Sequence, residues 1–323
     1  SLAYLIVRSR AAPDTPRSVR AHTQHTRCLP QTVGSGSVLL EVSMCGVIGL
    51  VYEHYRNDLG RIAGELLKTL EYRGYDSTGG AIQGDDVSVD LRKGVGAPSV
   101  MADKLGITSL GGRIFCGQVR WATFGAVDDA NAQPHVVRCK AFLYGAHNGN
   151  VTNSDELKSW LTAEGHDVKS DNDGEMVVHT IEHCFAGLLQ NEPEANHELP
   201  EVRRRVMRAA IAAASGRLQG SFAAVIVDPK TRTAWAIKHG SSLYCGIGTS
   251  EEGGRFVIAS SDLSSVLKLT RVVLPMVEGE FVEMGSTGYQ MYGIVGDGVK
   301  ALEREPVRSR LQSSDIGLMP PFE

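Results

Sequence analysis

The 323-residue chain has no apolar run near the roughly 20 residues that span a bilayer. It also lacks a basic excess, and its net charge is -4. Nothing in that balance supplies the positive field by which proteins hold nucleic acid or anionic membranes. Six cysteines stand at 28, 45, 116, 139, 184 and 245, and none forms a CxxC pair. That spacing argues against a disulfide scaffold and against a thiolate zinc site. Cys116, Cys139, Cys184 and Cys245 therefore read as small buried hydrophobes in a reducing cytosol. No internal repeat is evident. The composition as a whole, 42% hydrophobic and 22% charged, suits a soluble globular protein of one large or two modest domains.

Residues 1–43 differ in character from the rest of the chain. They hold Arg8, Arg10, Arg17, Arg20 and Arg27 against only Asp14 and Glu41. The apolar stretch 2–7 is too short for a signal segment, and no A-x-A cleavage site comes after it. Met44 stands directly before Cys45. The expected arrangement is a module beginning at Cys45, with 1–44 an extension read upstream of the initiator Met44. A cleaved propeptide or transit segment is the alternative.

From Cys45 onward the periodicities become regular. Residues 45–52 read as a short buried strand. Leu59, Ile62, Ala63, Leu66, Leu67 and Leu70 form one helical stripe, with Asn57 or Asp58 as its N-cap. Segments 79–83 and 87–92 predict a hairpin across Gly84, Asp85 and Asp86. Strands are expected at 113–120 and 141–147. Asn153 and Glu156 resemble a capping box for a helix ending near Gly165. Further helices are expected at 173–189 and 200–215, and a short one at 264–269. Later strands are expected at 222–228, 234–238, 243–247, 256–260, 281–284 and 289–294. The tail 295–323 reads as polar and irregular. Strands, then helices, then antiparallel-looking strands indicate an α+β sandwich of two sheets with helices outside.

Five short segments carry chemistry. With Met44 removed, Cys45 would bear a thiol and a free α-amine on one residue. Such an amine has a reference pKa of roughly 7.7–8.0 and serves as a base near neutral pH. Alone, a cysteine near a start is more often structural. In the stretch Arg73-Gly74-Tyr75-Asp76-Ser77, Arg73 offers a planar fork to a carboxylate or to a partner loop. Arg120, ahead of Trp121-Ala122-Thr123, either grips an α-carboxylate bidentately or forms a surface ion pair. In His147-Asn148-Gly149-Asn150, the Asn148 amide and a neighbouring N–H either stabilise an oxyanion or belong to an ordinary Asn-Gly turn. Asp173 either holds a substrate ammonium or caps the helix it opens.

Together, in order and spacing, these segments resemble the glutaminase domain of class II glutamine amidotransferases, most nearly the glucosamine-6-phosphate synthase subfamily. The resemblance covers about 45–294. It implies the four-layer αββα sandwich of N-terminal nucleophile hydrolases, and it implies roles for matching residues. Cys45 would be the nucleophile, with its own amine as base. Arg120 would bind the glutamine α-carboxylate and Asp173 its α-amino group. Asn148 and the Gly149 N–H would form the oxyanion hole. Arg73 and Thr123 would belong to the pocket wall and loop packing, and Trp121 would sit where the family gates an ammonia channel. The partners implied are L-glutamine and an acceptor (sugar isomerase) domain or subunit, in a homo-oligomeric, cytoplasmic full-length form. Residues 295–323 would lead toward that acceptor domain. No metal or organic cofactor is implied.

The chain departs from the family pattern at two places. Phe124 stands where relatives commonly read histidine after Ala-Thr, and Gln133 replaces the first histidine of Asn-Ala-His-Pro-His. Both put the detail of the pocket in question. Two rival readings also exist. His179-Thr180-Ile181-Glu182-His183 fits the H-x-x-E-H pattern of inverted zinc peptidases, with Glu182 as base. Its bland reading is a solvated helix face. A chain keeping a peptide bond before Cys45 would be a glutamine-binding domain without catalysis.

Overall fold

The run 46–52 is apolar at every position because its strand is covered on both faces. A computed structural model describes residues 45–122, 125–296 and 298–315. In chain order its first half contains β1 (Gly46–Arg56), α1 (Leu59–Thr69), β2 (Ser77–Gln83), β3 (Val89–Val95), α2 (Pro98–Lys104), β4 (Gly112–Arg120), β5 (His135–Val137), β6 (Leu143–Val151), α3 (Ser154–Ala163) and α4 (Asp173–Leu189). Then come α5 (Pro200–Ser215), β7 (Gly220–Asp228), β8 (Thr233–His239), β9 (Tyr244–Ser250), β10 (Gly254–Ser260), α6 (Leu263–Leu269), β11 (Val272–Leu274), β12 (Glu280–Gly285), β13 (Gly288–Val295), β14 (Gly298–Leu302) and β15 (Val307–Arg308).

The strands form two sheets, ordered β15-β11-β9-β10-β1-β4-β2-β3 and β14-β13-β12-β8-β7-β6-β5. Strand alternation produces three apolar layers. Val47 and Val51 of β1 face the second sheet, packing with Val225 and Ala236. Ile48, Leu50 and Tyr52 point the other way, onto Leu59, Leu66 and Leu67 of α1. Outside the second sheet, Ile226 and Trp235 pack beneath Val177 and Ile181 of α4 and Met207 of α5. The expected αββα sandwich is therefore the fold observed. Gly49 lets the sheets approach, since a Cβ there would lie 2.8 Å from a Val225 methyl.

Several local expectations need correction. Asp58 precedes α1 but its carboxylate does not cap it; it binds Arg56 Nε at 2.8 Å and an Arg61 guanidinium nitrogen at 2.7 Å. Opposite charge outcompetes the neutral N–H groups. The expected capping box of α3 does not form. Asn153 instead accepts from the Gln219 N–H and donates to the Arg217 carbonyl, tying α3 to the loop before β7. The tail is not irregular throughout, because β14 pairs with β13 and β15 with β11. Helix α2 and the three-residue strands β5 and β11 went unforeseen, being too short for periodicity to register.

Helix α4 carries the largest correction. Its 179–183 segment is not a solvated face: His179 and Glu182 are buried, and His183 is half-buried. The helix lies on β6 with α3 and α5 on either side, so little of its surface reaches solvent. Among the described residues no helix is long and apolar enough to cross a membrane.

Candidate active site

The layer between the sheets turns polar at one end. On β4, Ile114 and Cys116 face the opposite sheet, and Gln118 and Arg120 continue that row. On β2 the row runs from Ala81 to Ser77, which pairs with Arg120. On β6 it runs from Tyr144 and Ala146 to Asn148. Cys45 extends the row of Val47. Ser77, Gln118, Arg120 and Asn148 are all buried. A strand that alternates cleanly and then places amides and a guanidinium at apolar positions marks a site, because such groups cost free energy without partners.

Cys45 is held by its sulfur and by its carbonyl. The Trp121 N–H donates to Sγ at 3.3 Å, and the thiol lies 3.4 Å from the Trp121 carbonyl. Arg73 Nε donates to the Cys45 carbonyl at 3.1 Å, and its guanidinium pairs with Asp262 at 3.1 Å. Asp262 also caps α6 through the Ser264 N–H at 2.8 Å and accepts from the Tyr72 hydroxyl. Burial, reinforced by that carboxylate, pushes the Tyr72 phenol up to about 12. Arg73 thus links the Cys45 carbonyl to the Asp262 carboxylate. Gly74 is required for close approach, since a Cβ there would lie 2.6 Å from the Trp121 nitrogen. Asp76 fixes the same loop by accepting from the Ala122 N–H at 2.8 Å.

Burial pushes the Cys45 thiol up, against the pull of the Trp121 N–H and the Arg120 charge; Asp173 adds to the rise. One buried cation and one buried carboxylate thus act on a single sulfur. Among the described residues no imidazole or carboxylate hydrogen-bonds to that sulfur. The thiol is not ionised by its surroundings and needs a base to attack.

Arg120 donates to the Ala126 carbonyl at 2.7 Å. Asp173 is the first residue of α4 but not its cap. That role falls to Asn172, which accepts from the Gly174 N–H at 2.9 Å. The Asp173 carboxylate accepts from the Val151 N–H at 2.9 Å and lies 3.2 Å from His147 Nε2. Although burial raises its pKa, His147 and the Val151 N–H outweigh that and hold Asp173 below the usual carboxylate range. It is therefore ionised at neutral pH.

Gln133 explains how one departure from the family pattern is absorbed. Its Oε1 accepts from the His147 N–H at 2.8 Å, which fixes the amide orientation. Nε2 then donates to His147 Nδ1 at 3.1 Å. Gln133 Oε1 also lies 3.3 Å from Nδ1, and the other ring nitrogen, Nε2, is the one beside Asp173. Gly174 leaves room for this pair, since a Cβ there would lie 2.4 Å from His147 Nδ1.

Asn148 has neither its Nδ2 nor its Oδ1 bonded to any described group, although the side chain is fully buried. Native proteins rarely leave a buried amide so. Gly149 comes next with φ +133°, and a Cβ there would lie 2.2 Å from the Ser221 carbonyl. Only glycine fits that bend.

The structure thus brings Cys45, Arg73, Arg120, Trp121, Asn148, Gly149 and Asp173 to one end of the sandwich. Thr123 and Phe124 lie outside the described residues. Gln118, Asp262 and Tyr72 were missed. Gln118 had a readable signal, a carboxamide in an apolar row; Asp262 had none.

A family model described as a glutamine amidotransferase domain matches residues 120–267. The chain is 32% identical over 247 residues to a glutamine–fructose-6-phosphate aminotransferase (isomerizing) of Thermococcus kodakarensis, covering 76% of this chain and 37% of that protein. It is 32% identical over 270 residues to its namesake from Photorhabdus laumondii, covering 83% and 39%. This chain carries a class II glutamine amidotransferase domain. It spans about two fifths of the length of those relatives. The amidotransferase domain also matches the structure of glutamine phosphoribosylpyrophosphate amidotransferase from B. subtilis, with a TM-score of 0.59 at 21% identity, over 78% of this chain and 50% of that one. That likeness is one of fold.

Proposed function

We propose that the domain hydrolyses the side-chain amide of L-glutamine through a thioester on Cys45 and delivers ammonia to an acceptor domain or subunit. The observation that carries this reading is one thiol under the joint influence of buried Arg120 and buried, ionised Asp173. An α-amino acid presents the complementary pair, a carboxylate for Arg120 and an ammonium for Asp173. The base is the α-amine of Cys45, free once the preceding residue is removed. It takes the thiol proton as sulfur attacks the amide carbon. The Asn148 amide and the Gly149 N–H then meet the oxyanion. The amine returns the proton to the leaving nitrogen, ammonia departs, and a γ-glutamyl thioester remains. Water, deprotonated by the same amine, cleaves it to glutamate and restores the thiol.

The acceptor on this reading is fructose 6-phosphate, by the names of the relatives, with Trp121 at the exit for ammonia. The enzyme would work as a cytoplasmic homo-oligomer.

The test is equimolar ammonia and glutamate from glutamine, and its loss on removing the oxyanion donor. Asn148→Ala should lower kcat by about 100–1000-fold, the usual effect of one such donor. No glutaminase activity in the unaltered protein rejects the function, and an unchanged kcat in the variant removes Asn148 from its role. Gln133→Ala acts at one remove, by freeing His147 from its orientation beside Asp173. Leaving a buried partner unsatisfied costs about 1–3 kcal/mol, so KM for glutamine should rise at least about fivefold while kcat changes less. Equal losses in kcat, or an unaltered KM, would show that Gln133 does not act through the ammonium clamp.

A further inference from the structure

Away from Cys45, four side chains converge between α4, the end of α3 and the loop joining β5 to β6. His166 Nδ1 lies 3.1 Å from His179 Nδ1, and each lies 3.0 Å from the same oxygen, Glu182 Oε2. Cys139 Sγ completes the group, and all four atoms fall within 4.8 Å of one another. His166, His179 and Glu182 are buried. Contrary to the expectation of a buried hydrophobe, Cys139 is exposed and forms the outer corner.

Protons alone do not satisfy this triangle. With one hydrogen on the two Nδ1 atoms, the other Nδ1 turns a lone pair toward Oε2. With two, Glu182 Oε2 accepts from both, and two donors are left facing each other 3.1 Å apart. A single cation at the centre satisfies all three edges. A tetrahedral ion with bonds of about 2.0–2.1 Å keeps such ligands about 3.3–3.4 Å apart, so the triangle need open only by roughly 0.3 Å.

The atoms that do not point inward are each supported from outside, as metal ligands usually are. Glu182 Oε1 accepts from the Lys140 and Ala141 N–H groups at 2.7 and 3.0 Å. His166 Nε2 lies 3.2 Å from His183 Nδ1, and His179 Nε2 lies 3.6 Å from a Glu175 oxygen. Cys139 Sγ accepts from the Asp167 N–H at 3.2 Å.

We propose that Cys139, His166, His179 and Glu182 form a closed, structural site for a divalent transition ion, zinc by the softness of its thiolate and imidazole donors. One thiolate and one carboxylate balance the ion's charge, so the buried site is neutral overall. Four protein ligands leave no open position for a substrate or reactive water. The geometry also disposes of the peptidase reading: Glu182 is itself a ligand, not a base, and His183 supports His166 from outside. The site pins α4, whose first residue is Asp173, to the β5–β6 loop and to the end of α3. It is independent of the glutaminase reading and can fail or stand without it.

The test uses the untagged full chain, purified without chelators. Elemental analysis should find about one zinc per chain, and a chelator should lower the unfolding temperature reversibly. Cobalt in place of zinc should give tetrahedral visible bands and a near-ultraviolet thiolate-to-cobalt band. Cys139→Ser, at an exposed position, should keep the fold, lose that near-ultraviolet band and weaken zinc binding. Protein that is purified metal-free and gains no thermal stability from zinc overturns the proposal. So does a thiolate band that survives Cys139→Ser.

Discussion

Cys45→Ala is expected to leave a folded chain that releases no measurable ammonia from glutamine. Among the described residues the thiol hydrogen-bonds to the Trp121 backbone alone, and Cys45→Ala keeps the Cβ. The chemical loss is complete on the proposed mechanism, which runs through a thioester that only a thiol can form. Removing the nucleophile of a covalent mechanism typically costs on the order of 10⁴–10⁶-fold in kcat. Ammonia release and the thermal unfolding midpoint, measured together, separate lost chemistry from lost fold. A folded Cys45→Ala protein that still works at the normal rate would end the thioester mechanism.

Retaining a peptide bond in front of Cys45 should be as damaging as removing its sulfur. An amide nitrogen has no lone pair to take a proton, and burial keeps the thiol protonated at neutral pH. A chain that begins at Met44, with that methionine removed, should be active. One that keeps residues 1–44 should bind glutamine and leave it intact. Intact mass alongside the assay decides which species works. In the trimmed chain the rate should climb with pH as the amine loses its proton, around the reference range of about 7.7–8.0. Full activity in a sample whose mass retains residues 1–44 would remove the amine from the mechanism.

The layering of the fold was legible because its signals are local. The stripe Leu59, Ile62, Ala63, Leu66 and Leu67 is buried as its spacing requires. The bounds of α4 and α5 agree with the periodic segments. The roles around Cys45 became readable only through the resemblance, since residues from five separate segments meet at one end of two sheets. What stayed hidden depends on competition or distance. Asp58 and Asn153 have the chemistry of caps, and both are drawn away by better partners. His179 and Glu182 looked solvated because a helix with polar groups on one side normally turns them to water. Here that side meets Cys139, from the β5–β6 loop, and His166, from the loop before α4.

Cys45 takes its two described moorings, the Arg73 guanidinium and the Trp121 peptide, on its sulfur and its carbonyl, and neither engages its nitrogen. A residue tethered on its downstream side can be severed from whatever precedes it and stay where it is. The cut that would arm the domain therefore requires no rebuilding of the end it exposes.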